Sequence, residues 1–207
     1  KGPKSDGDNV GGNNGTVMNG AAFAPGMVGQ AFSFNGNSYI DVVPTSTLDM
    51  GTGDFSISFW MDLNSLTLQT FVHKTVGDVS AGTNKTYFVE YDATSSSLRF
   101  RTSDPSVVND LLALVSLSTG QWYLVTAVHS GATNIIYLNG APVGSQTVSG
   151  LADTGSGGYF RIGQLAPNGV SGISRYVNGK LDELSVYNRA LSASEIARIY
   201  NAGSAGV

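Results

Sequence analysis

Glu90 and Asp92, in the run Val89-Glu-Tyr-Asp-Ala-Thr-Ser95, alternate at a spacing that would put both carboxylates on one face of a strand. Paired acids on one face are what glycoside hydrolysis uses as nucleophile and acid/base. The constellation is incomplete, because Thr94 and Ser95 stand where a further glutamate should be. The same residues have a plainer use. With a turn centred on Ser95-Ser96, Glu90 faces Arg101 and Asp92 faces Arg99 across a hairpin, giving two opposite-charge pairs. His73 and His129 fall on separate expected strands with no partner at ligand spacing, which argues against zinc. No Gly-x-Ser-x-Gly elbow is present to carry a serine nucleophile.

Sugar binding asks for other residues: aromatic faces to stack on rings, with amide, guanidinium and backbone groups to meet hydroxyls. Tyr176, Tyr159 and Tyr91 lie near polar loops and are the candidate platforms. Tyr176 follows Arg175 at the end of the polar segment Pro167-Asn-Gly-Val-Ser-Gly-Ile-Ser174, so Arg175 and Asn168 are its expected companions. Trp60, Trp122, Phe88 and Phe100 sit within strand patterns and are read as core, the two phenylalanines as wedges between sheets.

Strands must position these groups. Phe55, Ile57, Phe59 and Met61 alternate with Ser56, Ser58 and Trp60, a central strand with one wholly apolar face. Residues 31–34 and 38–43 flank Asn35-Gly36 and are expected to form a hairpin. Further strands are expected near 68–74, 86–92, 97–103, 111–117, 121–129, 133–139, 142–148, 158–163 and 179–187. After the last of these, Ser192 or Ser194 can cap a short helix, Glu195 completing a capping box with Ser192, and Ile196, Ile199 and Tyr200 share one helical face. About a dozen short strands imply an all-β fold of two packed sheets.

Composition agrees. The 207 residues include 27 glycines and only 13% charged residues, a turn-rich sheet protein in one domain, with residues 1–8 and 204–207 as linker-like tails around 9–203. A net charge of −4 without a basic run speaks against nucleic acid. No run of eighteen apolar residues calls for membrane insertion. The absence of cysteine excludes a disulfide scaffold and a thiolate metal site.

Four pieces together resemble the laminin-G-like, concanavalin A-like jelly-roll family of extracellular bacterial modules. They are Asn13-Asn-Gly-Thr16 leading to Gly29-Gln-Ala-Phe-Ser-Phe-Asn-Gly36; Asp54-Phe-Ser-Ile-Ser-Phe-Trp60; Trp122-Tyr-Leu-Val-Thr-Ala-Val128 with Ile136-Tyr-Leu-Asn-Gly140; and residues 179–192, from Gly-Lys-Leu-Asp-Glu-Leu to Ser192. The resemblance implies an antiparallel two-sheet jelly-roll sandwich, one sheet concave, used in carbohydrate binding or adhesion and often stabilised by Ca2+. It aligns Asp182 with an acidic position that supplies calcium ligands, and Asn35 with a position where relatives often carry aspartate. Asp8, Asn9 and the Gly11-Gly12 carbonyls could complete six to eight oxygens if the first and last strands lie together. The expected function is a secreted or cell-surface lectin-like module that binds a glycan or polysaccharide without cleaving it, within a larger bacterial protein and in possible contact with its other domains. A protein-binding or spacer domain of an adhesin is the alternative, and a diverged glycoside hydrolase the third.

Overall fold

A computed structural model describes residues 12–43, 45–76, 85–150, 152–154, 158–165 and 175–206. The strands are β1 (Gly15–Met18), β2 (Ala22–Pro25), β3 (Gln30–Asn35), β4 (Tyr39–Val42), β5 (Phe55–Leu63), β6 (Gln69–Val76) and β7 (Lys85–Asp92), then β8 (Ser97–Ser103), β9 (Val108–Leu114), β10 (Trp122–Ser130), β11 (Thr133–Leu138), β12 (Ala141–Thr147), β13 (Tyr159–Ile162) and β14 (Asn178–Tyr187). A helix, α1 (Ala193–Ala202), follows. The strands make two seven-stranded sheets, β1-β4-β13-β6-β7-β8-β9 and β12-β11-β10-β5-β14-β3-β2. Every pairing is antiparallel, the expected jelly-roll sandwich.

The period-two pattern of β5 does what it requires. Phe55 and Phe59 reach the first sheet, where their rings meet Tyr87 at 5.1 Å, Phe100 at 5.8 Å and Phe71 at 5.3 Å between centroids. The opposite face of β5 is buried as well, because α1 lies on it. Trp60 stacks on Tyr200 at 5.8 Å, and Ile196 is enclosed with Val128, Tyr137 and Leu191. Of the two serines that could start this helix, Ser192 does so: its hydroxyl accepts from the Glu195 N–H while the Glu195 carboxylate accepts from the Ser192 N–H.

Several expectations are corrected. Residues around Asn35-Gly36 do not form a hairpin: β3 pairs with β2 and β14, whereas β4 pairs with β1 and β13 in the other sheet. Phe34 and Ile40 both enter the core, so the turn is an arch from one sheet to the other, made by Gly36 at φ 83° and the Asn37 N–H donating to Asn35 Oδ1 at 3.0 Å. The first and last strands are likewise apart, β1 beside β4 and β14 between β5 and β3. Strand β9 begins three residues before its expected start, since Asp104 Oδ1 accepts from the Ser106 and Val107 amides and closes a tight turn ahead of Val108. Phe100 is core, but Phe88 is buried on the opposite face of the same sheet. Trp122 is only half-buried and also points away from the core.

Candidate functional site

The outer face of the first sheet gathers most of the chemistry, because the ladder register aligns outward side chains in rows. Asp41, Arg161, His73, Phe88, Arg101 and Asp110 stand side by side across β4, β13, β6, β7, β8 and β9. The next row holds Thr70, Glu90, Arg99 and Leu112. A bulge in β6 makes this row possible: Phe71 and Val72 both enter the core, which returns Thr70 to the outside.

Glu90 faces Arg99 rather than Arg101, and Asp92 faces Ser97, because the turn occupies residues 93–96 and is centred one residue earlier than expected. The two-residue change of register preserves the face while changing the partners. Glu90 has no exposed surface and both its oxygens are engaged. Thr70 Oγ1 donates to Oε2 at 3.0 Å, Arg99 Nη1 to Oε1 at 3.2 Å, and Arg175 Nη1 to Oε1 and Oε2 at 3.1 and 2.8 Å. Asp110 accepts from Arg99 Nε at 2.7 Å, from Arg99 Nη2, and from Arg101 Nη2 at 2.6 Å. Burial alone would raise the Asp110 carboxyl, but those arginine bonds outweigh it and hold it below the ordinary range. Asp92 is held low by the Thr94 hydroxyl and amide. His73, fully buried between Thr86 and the edge of Phe88, is pushed down to about 3 by burial and then by Arg161 and Arg175. Glu90, Arg99, Arg101, Asp110 and Arg175 form a locked ionic lattice in which both Glu90 oxygens are engaged, whereas Asp92 bonds within its own turn through Oδ1.

At one edge of the lattice the sheet presents aromatic rings. The Arg161 guanidinium lies 4.6 Å from the Tyr39 ring centroid and 5.6 Å from that of Tyr159, and Tyr176 lies 6.3 Å from Tyr39. Arg161 donates through Nε to Asp41 Oδ1 and through Nη1 to Gln164 Oε1, each at 3.1 Å, which leaves Nη2 for a further acceptor. Tyr159 is 40% exposed, and Tyr39 and Tyr176 are half-buried. Tyr159 and Tyr39 lie on paired strands, with the Arg161 guanidinium between their rings. A groove of about 450 Å³ lined by Ser46, Thr47, Asp49, Met50, Asp54 and Arg189 shares none of these residues and carries no aromatic ring.

Of the expected sugar-binding residues, Tyr159, Arg175 and Tyr176 therefore come to one region, joined by Tyr39 and Arg161, which sequence reasoning missed. Both were legible as the polar-side partners of buried Ile40 and of Phe160 and Ile162, since each alternates with them along its strand. Tyr91 is a correction: at 4% exposure it lies between the sheets with Tyr87 and Val89, the inward series of β7 that sends Glu90 outward. Asn168 lies outside the described residues, as do Asp8 and Asn9.

Of the expected calcium ligands, Asp182 and Asn35 lie among the described residues. Asp182 is buried, and its oxygens accept backbone N–H groups, Oδ2 from Val28 and Oδ1 from Glu183, both at 2.8 Å. A side chain on Gly26 would collide with Oδ2, so glycine there lets the turn before β3 fold over the carboxylate. Asn35 pairs with Asn178, four residues along β14 from Asp182 and about 14 Å away. No group of three or more His, Asp or Glu side chains suited to a metal occurs among the described residues. The same residues include no helix long and apolar enough to cross a membrane.

No curated protein matches the sequence. Domain 4 of AbnA, a GH43 extracellular arabinanase from Geobacillus stearothermophilus solved in complex with arabinotriose, superposes with a TM-score of 0.72 at 22% identity, covering 93% of this chain and 91% of that one. The binding domain of Paraclostridial Mosquitocidal Protein 1 also gives 0.72, at 18% identity, covering 92% of this chain and 48% of that one. The binding domain of botulinum neurotoxin DC in complex with SialylT gives 0.67 at 16% identity, with coverages of 92% and 47%. The chain thus spans about half the length of these toxin binding domains, and at such identities the likeness is one of fold. A family model described as the concanavalin A-like lectin/glucanases superfamily matches residues 34–197. With most of its length matched and its strands arranged as two antiparallel sheets, the chain belongs to the concanavalin A-like lectin/glucanase superfamily.

Proposed function

We propose that this domain is a non-catalytic carbohydrate-binding module of a larger secreted bacterial protein, and that its glycan lies along Tyr159, Arg161, Tyr39 and Tyr176. The observation that carries the reading is the grouping of three tyrosine rings around one guanidinium that keeps Nη2 available, on the outer face of the first sheet. Rings of this kind stack on the apolar faces of sugars, and the arginine donates to hydroxyl oxygens. Three rings around one guanidinium suit an oligosaccharide rather than a single sugar ring. Neighbours of the same fold support the class of ligand, arabinotriose in one and SialylT in another.

Hydrolysis is a poor fit to the lattice. A general acid must hold a proton for the leaving group and a nucleophile must turn a lone pair toward the sugar. Glu90 is sealed from solvent by Thr70, Arg99 and Arg175. The test is a glycan array followed by titration calorimetry on the best ligand. Arg161→Ala and Tyr159→Ala should each weaken binding about tenfold; Tyr159→Ala leaves the melting profile intact, and Arg161→Ala lowers it by what its pairing with Asp41 contributes. Unchanged affinity in both variants refutes the site, and reducing ends released by the wild type refute the non-catalytic reading.

A further inference from the structure

The outer face of the second sheet is covered by α1 over only part of its length. The rest, across β3, β14, β5 and β10, carries Asn35, Asn178, Lys180, Asp62, Asn64 and Trp122. Register puts Lys180, Asp62 and Trp122 in one row. Lys180 Nζ donates to Asp62 Oδ2 at 2.9 Å and lies 5.5 Å from the Trp122 ring centroid. Asn64 Nδ2 donates to Asn178 Oδ1 at 3.2 Å, so Asn64 keeps its carbonyl oxygen and Asn178 its amide donors for a ligand. Beneath them Asp62 is 7% exposed, and its Oδ1 has no hydrogen-bond partner. An internal acceptor left without a donor, next to a half-exposed indole and outward amides, is incomplete as a piece of protein structure.

We propose that this patch is a second glycan subsite, distinct from the tyrosine strip and on the opposite sheet. The indole takes a sugar ring when the Lys180 side chain, held only by Asp62 Oδ2 and the ring, moves aside. Asn64 and Asn178 then meet hydroxyls at the rim, and Asp62 Oδ1 accepts one at the floor. The ligand class is a neutral oligosaccharide: among the described residues of the patch the charges are Lys180 and Asp62, which cancel, so a carboxylate on the sugar would meet no net positive charge and would face that acid. Two subsites on opposite faces would let one module bridge polysaccharide chains or gain avidity on one surface.

The test counts sites. Arabinotriose, a xylotriose and soluble β-glucan oligosaccharides serve as probes in calorimetry, with tryptophan fluorescence as the local readout, since Trp60 is buried and Trp122 is the accessible indole. The expected result is two sites per chain for a bound probe, a fluorescence change that Trp122→Ala removes, and one site in either Trp122→Ala or Arg161→Ala. Asn178→Ala, at the accessible rim, should weaken the fluorescent site several-fold with an unchanged melting temperature, which guards against a folding artefact in the tryptophan variant. One site that Trp122→Ala and Asn178→Ala leave unaltered overturns the second subsite. One site that Arg161→Ala leaves unaltered and Trp122→Ala abolishes upholds it and overturns the tyrosine strip instead.

Discussion

Replacing Glu90 by glutamine keeps the volume of the side chain and removes its charge, so it asks what the ionic lattice contributes. In the wild type the carboxylate, with no exposed surface, accepts from Thr70, Arg99 and twice from Arg175. Glutamine offers one acceptor oxygen and turns an NH2 group toward donors already in place. Arg99 retains Asp110, but Arg175 loses its paired acceptor. Charge-assisted bonds contribute about 1.5–3 kcal/mol each and neutral ones about 0.5–1.5, and removing one partner of a buried pair costs about 3–5 kcal/mol. Arg99 and Arg175 keep 19% and 26% of their side-chain surface in water, which screens the loss, so about 3 kcal/mol is the expected cost. For a domain of this size that corresponds to a melting temperature lower by about 6–12 °C. Differential scanning calorimetry of Glu90→Gln, Arg175→Gln and the double variant measures it, and the double variant should cost less than the sum. A shift under about 2 °C, or strict additivity, would refute the view that the lattice is built on Glu90.

Three more outcomes follow from the same geometry. His73, with a folded value of about 3 against an ordinary 6.5, stays neutral inside the fold, so its contribution is complete above pH 6.5 and is lost as pH falls from there toward 3. Urea unfolding at pH 7, 5 and 4 should show stability falling by up to about 1.4 kcal/mol per unit from this group, a slope that His73→Gln removes; an identical slope in the variant refutes it. Asp182→Asn should lower the melting temperature equally in calcium and in chelator, since its carboxylate is met by the Val28 and Glu183 amides; a loss confined to calcium buffer would show a cation at that carboxylate. Arg161 is paired with Asp41, and the chain carries −4, so neutral oligosaccharides should bind more tightly than uronic acid counterparts and with little dependence on salt. A steep loss of affinity with salt would mean that the strip reads negative charge.

Much of this was legible from alternation, and the errors share a cause. Strand β5 and the Ser192 capping box declare themselves because each rests on a local pattern, one period of two residues and one pair of residues three apart. Which strand lies beside which is decided by long-range burial. Asn35-Gly36 has the residues of a hairpin turn, yet Phe34 and Ile40 each need a place in the core, and the arch provides both. The Glu90 register differs by two residues from the one the sequence suggests, because Ala93, Thr94, Ser95 and Ser96 offer several comparable turn centres; Ser96 at φ 49° and the Asp92–Thr94 bonds select one. Tyr91 and Phe88 show the same difficulty in another form. On a strand with a polar and an apolar residue on each side, the aromatic count does not say which face is the interior. The partner residues do: Tyr91 meets Leu98, while Phe88 meets Arg101.

The lattice and the tyrosine strip are mechanically one unit, and Arg175 is the joint. Its guanidinium is fixed by Glu90, its backbone carbonyl accepts from the Thr70 N–H at 3.0 Å, and the next residue, Tyr176, lies against Tyr39. A side chain held in this way gives up little rotamer freedom when a ligand arrives, so more of the stacking energy reaches the measured affinity. The buried charges that look like a failed catalytic pair therefore have a use consistent with binding. They set the position of an aromatic edge that a loop alone would leave loose. It follows that Glu90→Gln should weaken sugar binding through Tyr176 although Glu90 itself is sealed from the ligand. Tyr176→Ala should erase most of that difference: in a Tyr176→Ala background, Glu90→Gln has little affinity left to remove. Equal effects of Glu90→Gln with and without the Tyr176 ring would separate the two clusters and leave the lattice a matter of stability alone.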